Sequence, residues 1–211
     1  YKYKVEFNRQ EYDEIDIYCK NNNIQWTASP WDLDSLDFLT QYEIPFIKIP
    51  SALLTDLSLI KASAESGKPI ILSTGMSTLS EIEEAVQAIK ATNDNLEYSI
   101  LHCNSTYPAP IEDLNLRCIK SLQDKFKCNV GYSGHEFGLT TTIASICFGA
   151  SIIERHITLD RTMWGTDQMC SVEPQGLIKL VRGIRELSAA LGDGHKRVTP
   201  GEEIIKKKLR K

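Results

Sequence analysis

Two histidines stand just beyond two successive apolar runs. His135 closes Asn129-Val130-Gly131-Tyr132-Ser133-Gly134-His135, and His156 closes Ser151-Ile152-Ile153-Glu154-Arg155-His156. Neutral imidazole is a common metal ligand, so two of them at equivalent points of neighbouring strands suggest a metal site; the plain alternative is a hydrogen-bonded structural histidine. Other run ends are polar too: Ser29, Lys48 and Ser51, Ser73 and Thr74, Asn104 to Tyr107, and Ser133. Lys48 stands out, because a lysine at a strand end facing a cavity is costly to desolvate unless an anion pairs with it.

The elements that must position these groups alternate regularly. Six short apolar runs read as strands: Ile24 to Ser29, Phe46 to Pro50, Pro69 to Thr74, Glu97 to Cys103, Cys128 to Ser133 and Ser151 to Ile157. Helical periods follow them. Leu79 to Ala91 places Leu79, Ile82, Val86 and Ile89 on one face, with Thr78 and Glu81 spaced as a capping box. Leu177 to Leu191 carries a stripe of Leu177, Leu180, Val181, Ile184, Leu187 and Leu191 that is expected to cover a sheet. Arg9 to Asn22 reads as a helix leading into the first strand.

Alternating βα units require parallel strands with helices outside, as a doubly wound sheet or a closed barrel. A doubly wound sheet binds mainly at one switch point, whereas here nearly every strand end is polar, which favours the (β/α)8 TIM barrel. Such a barrel usually needs about 250 residues, and this chain has 211 and opens on Tyr1 rather than Met. The expectation is a single barrel domain, residues 1–211, with six βα units visible and about two N-terminal units missing.

A net charge of −4 and an apolar fraction of 42% are ordinary for a cytoplasmic domain and give no support for a nucleic-acid or membrane partner. No stretch approaches the roughly 20 apolar residues of a membrane span. Cysteines 19, 103, 118, 128, 147 and 170 lack CxxC spacing, so they are expected to be reduced core residues. Cys103 differs in lying at a strand end beside the polar ring.

Five ordered blocks carry a family likeness: Lys48-Ile49-Pro50-Ser51, Ile71-Leu72-Ser73-Thr74-Gly75-Met76, Leu101-His102-Cys103-Asn104-Ser105-Thr106-Tyr107-Pro108, Gly131-Tyr132-Ser133-Gly134-His135 and Glu154-Arg155-His156-Ile157-Thr158-Leu159-Asp160. Together they resemble the sialic acid synthases, from about Trp26 onward. The resemblance implies condensation of phosphoenolpyruvate with an N-acylated mannosamine or related sugar, forming a nine-carbon 2-keto acid and releasing phosphate, with Mn2+ or Mg2+ as cofactor. It also implies a C-terminal antifreeze-like domain, absent here, and a homodimeric parent.

Carried over residue by residue, the resemblance makes His135 and His156 the metal ligands and Lys48 the phosphoenolpyruvate-binding cation. Ser29, Ser51, Ser73, Ser105 and Ser133 surround that ligand, while Tyr107 and Asp167 contact the sugar. A cation between the imidazoles would polarise the sugar aldehyde attacked by carbon 3 of phosphoenolpyruvate. Glu136 is a candidate to orient the metal site, and neither Glu154 nor Arg155 is assigned a role in catalysis. His102 is expected to face the helices, His195 and Lys68 to be solvated.

One departure concerns specificity. Many family members carry an acidic residue shortly after the lysine motif, where this chain reads Ser51-Ala52-Leu53-Leu54. Leu53 cannot accept a hydrogen bond from a sugar, which implies a different sugar, 6-phosphorylated or diacetamido, or another residue making the contact. N-acetylneuraminate formation is the default expectation. Two other readings stay open: a phosphate-handling barrel aldolase with Lys48 as a Schiff base, and a non-catalytic sugar-binding or assembly relative.

Overall fold

Short β-branched runs pair side by side in the computed structural model, which describes residues 6–210. The strands are β1 (Ile47–Ile49), β2 (Ile70–Ser73), β3 (Tyr98–Cys103), β4 (Asn129–Gly134) and β5 (Ile153–Arg155). All are parallel, in the order β1-β2-β3-β4-β5. The order never reverses, as it must at the switch point of a doubly wound sheet. In a flat sheet β1 and β5 would lie about 19 Å apart, at about 4.8 Å per strand, farther than a lysine and a glutamate can bridge. Yet Lys48 Nζ on β1 is 3.4 Å from Glu154 Oε2 on β5. The sheet therefore curls into a half-barrel.

Alternation along each strand sorts the side chains between two faces. Ile47, Ile49, Ile70, Leu72, Ile100, Val130 and Tyr132 face the helices and join one core. The intervening positions, Lys48, Ser73, Cys103, Ser133 and Glu154, face the inside of the curl. The helices are α1 (Arg9–Asn21), α2 (Leu33–Thr40), α3 (Leu57–Glu65), α4 (Leu79–Thr92), α5 (Cys118–Phe126), α6 (Thr140–Ala144), α7 (Pro174–Leu191) and α8 (Pro200–Leu209). The Thr78/Glu81 capping box forms at the start of α4, and Ile82, Val86 and Ile89 are buried beneath it, with Leu79 half exposed in the first turn.

Three expectations change. Ile24 to Ser29 is extended but forms no ladder, so among the described residues five strands stand where six were expected. Its tie toward β1 is the Thr27 hydroxyl donating to the Phe46 carbonyl at 2.9 Å. Aromatic packing holds the segment instead: Trp26 lies in a cluster with Tyr12 and Tyr42, and Phe38 closes on Tyr12 at 5.1 Å between ring centroids. The α7 stripe is only partly covered, with Leu180 buried and Leu177, Val181 and Leu191 partly exposed. The sheet ends at β5, beyond which, among the described residues, a single parallel bridge, Ile157 to Val172, continues the pairing. The cysteines are free, but only Cys103 and Cys170 are buried and Cys147 is exposed. Among the described residues no helix is long and apolar enough to cross a membrane.

Gly131 shows how closely the strands approach. A Cβ there would press into the Ile152 carbonyl and come within 2.6 Å of Leu101 Cδ2. Gly131→Ala is expected to cost about 2–3 kcal/mol through overpacking, against about 1 kcal/mol for the cavity left by Ile100→Val. Urea denaturation of the two variants checks the ranking.

Candidate active site

Because the strands are parallel, their C-terminal ends open on one side of the sheet, and a cavity of about 600 Å³ lies there. All ten residues singled out from the sequence line it: Ser29, Lys48, Ser51, Ser73, Ser105, Tyr107, Ser133, His135, His156 and Asp167. They come from separate strand ends and loops, so the convergence is a product of the fold.

The floor is polar and tightly connected. Lys48 is buried and faces Glu154, whose other oxygen accepts the Ser133 hydroxyl at 2.7 Å. Ser51 Oγ accepts the Gly75 N–H at 3.0 Å and lies 3.4 Å from Cys103 Sγ, itself 3.7 Å from Ser105 Oγ. Gly75 admits no side chain: a Cβ there would overlap Ser105 Oγ and lie 2.9 Å from both Cys103 Sγ and Ser51 Oγ. The Ser73 hydroxyl is buried without a hydrogen-bond partner among the described residues. Such an orphan beside a cavity is what a ligand oxygen would satisfy.

His135 and His156 lie with ring centroids 5.1 Å apart. His135 Nδ1 donates to the Asn104 carbonyl at 2.6 Å, which leaves Nε2 as the nitrogen with a lone pair to offer. Burial disfavours the charged imidazolium of His135, but the neighbouring Cys103 thiol and the Asn104 carbonyl outweigh it and raise the pKa. His156 moves the other way, lowered by burial and then by His135. For Cys103, burial raises the thiol pKa, yet His135 and Ser51 outweigh it and the net shift is downward. Tyr107 packs on His135 at 4.2 Å between centroids, and burial foremost pushes its phenol up to about 12. Asp167 Oδ2 is 3.7 Å from His156 Nδ1.

Among the described residues no group of three or more His, Cys, Asp or Glu gathers as a metal cage. The available set is two imidazoles with the rest of the sphere open. That fits a catalytic cation completed by water and substrate, and not a closed structural zinc site.

Several neighbours went unassigned in the sequence. Glu154 shares the inward face with His156, two positions on, and strand parity was the signal that could have found it. Trp31 and Met76 form an exposed apolar rim. Met76 stands at φ 62°, a left-handed conformation that costs a non-glycine residue about 1–3 kcal/mol. One expectation is corrected and one is narrowed. Leu53 does not line the cavity; the short 3₁₀ turn after Pro50 directs it onto the core and presents Ala52 instead. Glu136 touches neither imidazole, because it lies on the helix side of β4 beneath Tyr132. His102 also faces that side, with Nε2 donating to the Leu114 carbonyl. His195 is exposed, and Lys68 is half buried, donating to the Ile44 carbonyl.

A curled parallel sheet whose strand ends gather a lysine, two imidazoles and a set of hydroxyls in one cavity defines an α/β barrel-type protein. The chain belongs to the NeuB family, whose profile matches residues 1–196. It is 40% identical over 211 residues to the N,N'-diacetyllegionaminic acid synthase of Campylobacter jejuni, covering 98% of this chain and 63% of that one. It is 36% identical over 212 residues to the human N-acetylneuraminate-9-phosphate synthase, covering 100% of this chain and 58% of that one. The crystal structure of N-acetylneuraminic acid (sialic acid) synthetase from Leptospira borgpetersenii, in complex with citrate, superposes with a TM-score of 0.88 at 34% identity, over 98% of this chain and 73% of that one. The chain thus spans about six-tenths of the length of the two synthases it matches in sequence.

The His135 and Cys103 couple has a measurable signature. Removing the thiol in Cys103→Ala removes an influence that raises the His135 pKa, so the imidazole is expected to titrate at lower pH in the variant. An NMR titration of the His135 ring protons checks the sign; an unchanged midpoint would show that the thiol exerts no influence.

Proposed function

We propose that the protein condenses phosphoenolpyruvate with the open-chain aldehyde of an N-acylated mannosamine-type sugar, or a diacetamido relative, to form a sialic acid-type 2-keto acid. The supporting observation is the convergence of all ten candidate residues on one cavity, in a chain similar to synthases of N-acetylneuraminate phosphate and legionaminate. The reaction joins carbon 3 of phosphoenolpyruvate to the aldehyde carbon, consumes one water at carbon 2 and releases inorganic phosphate.

The residues divide the work by chemistry. Lys48, buried and already opposite a carboxylate, supplies the fixed positive charge for the phosphoenolpyruvate anion. The hydroxyls of Ser51, Ser73, Ser105 and Ser133 fill the floor around it, and Ser29 lies at its edge. They donate to phosphate or carboxylate oxygens at little steric cost. The Ser73 hydroxyl gains its missing partner in this way. Asp167, partly exposed in its loop, accepts from sugar hydroxyls. Tyr107, with its pKa near 12, stays protonated at neutral pH and donates to a sugar oxygen.

His135 and His156 are the residues that would hold Mn2+ or Mg2+. His156 is the readier of the two, since its lowered pKa keeps it neutral. The cation, when bound, supplies Lewis-acid polarisation of the aldehyde oxygen. Orientation of the imidazoles is the work of the chain itself, through the Asn104 carbonyl on His135 and the Tyr107 ring packed against both.

Phosphate release from phosphoenolpyruvate, with Mn2+ and a panel of N-acylated mannosamines and diacetamido sugars, tests this reading. Sugar-dependent release is expected. His135→Ala and His156→Ala should each lower kcat by about 10²–10³-fold, and Lys48→Met should raise KM for phosphoenolpyruvate by about 10–100-fold. No release with any sugar, despite Mn2+ binding, would leave a non-catalytic relative. Borohydride trapping of Lys48 with a keto acid would replace the reading with a Schiff-base aldolase.

A further inference from the structure

The ladder between β4 and β5 ends at the pair Gly134 and Arg155. His135 and His156 occupy the next position in that register, one residue past the last paired rung. Their backbones are held separately, the His135 carbonyl by the Ala109 N–H at 3.1 Å and the His156 carbonyl by the Val172 N–H at 2.7 Å. Neither contact joins one histidine to the other.

A buried ion pair does. Glu136 follows His135, Arg155 precedes His156, and both side chains are sealed behind the strands, 0% and 3% exposed. Glu136 Oε1 accepts from Thr141 and Thr142 at 2.7 Å each and faces Arg155 Nη1 at 3.5 Å, while Oε2 accepts the Tyr132 hydroxyl at 2.9 Å. Arg155 Nη2 donates to the Glu136 carbonyl at 2.8 Å and to the Cys170 carbonyl at 3.2 Å; Nη1 donates to Thr142 Oγ1 at 2.7 Å and to the Gly138 carbonyl at 3.0 Å. A guanidinium reaching the backbone of one histidine's neighbour from that of the other fixes the two strand ends relative to each other.

Such a pair is a poor source of stability, since desolvating both charges cancels much of their attraction. Its attested use is to specify one geometry. We propose that Glu136 and Arg155 are positioning residues that set the relative placement of His135 and His156 from the face of the sheet opposite the cavity. Neither side chain touches an imidazole. The consequence for a bound cation rests on the reading of the two histidines given above; the positioning itself does not.

The test uses the full chain with Glu136→Gln, which removes the charge and leaves one carbonyl oxygen as an acceptor for the two threonine hydroxyls, with Arg155→Met, and with the conservative Arg155→Lys. In the metal-free protein, long-range 1H–15N spectra of the imidazoles report placement directly. The His135 and His156 ring signals are expected to shift or broaden in Glu136→Gln and Arg155→Met and to return part of the way in Arg155→Lys. Mn2+ affinity, read by electron paramagnetic resonance on the folded fraction, is expected to fall about 10–100-fold in the first two. Ring signals and Mn2+ affinity both unchanged, with only a lower Tm, would overturn the proposal and leave the pair a fold element. Displaced ring signals in the variants, with a wild-type chain that takes up no Mn2+, would uphold the positioning and remove the cation reading.

Discussion

The contact on which the architecture turns is the 3.4 Å approach of Lys48 to Glu154. It joins the first strand of the sheet to the last, so it exists only if the sheet curls. The curl creates the cavity, and the cavity justifies a lysine at a strand end. Buried between Ile47 and Ile49, each 0% exposed, Lys48 has no route to water through the helix layer. The carboxylate opposite therefore offsets part of its desolvation. A flat sheet of the same sequence would leave Lys48 and Glu154 as two separate charges.

Parallel pairing then determines which side chains the cavity receives. Every strand enters from the same end, so the residues after each apolar run meet at one mouth, and parity along the strand decides which of them face inward. Glycine clears the remaining space. At Gly75 a Cβ would displace Ser105, Cys103 and Ser51 together, and at Gly134 it would collide with Glu136 Oε2 at 2.7 Å. One glycine keeps the floor of the cavity, the other keeps the buried network behind the histidines.

Much of this was legible in the amino-acid order, because helix and strand periods are local and the polar strand ends follow them. Nine of the ten cavity residues could be named from that rule together with the five motif blocks, and Asp167 from the likeness of its loop, Met163 to Gln168, to the same family. What escaped depended on information the order does not carry. Whether Ile24 to Ser29 pairs with β1 depends on the Trp26, Tyr12, Phe38 and Tyr42 packing, which holds the segment without a ladder. The side on which Leu53 emerges depends on the 3₁₀ turn after Pro50. Glu154 is the instructive case: it was two residues from His156 and therefore on the same face, but with Arg155 next to it one of the two was expected to pair among the helices and neither was given a role, whereas the curl brings Lys48 to Glu154.

The two charged pairs also show how burial separates roles that residue type alone cannot. Lys48 and Glu154 face the cavity and remain partly open, with Glu154 at 39% side-chain exposure, so a ligand can compete for either partner. Glu136 and Arg155 are sealed, and every listener to the Glu136 carboxylate is a protein group. There burial alone would favour the protonated acid, but the Thr141 and Thr142 hydroxyls foremost outweigh it and hold the pKa below the ordinary value. The open pair is accessible to an exchange of partners; the sealed one is closed off from solvent. The same strands thus carry one pair of each kind, the open one toward the cavity and the sealed one behind it.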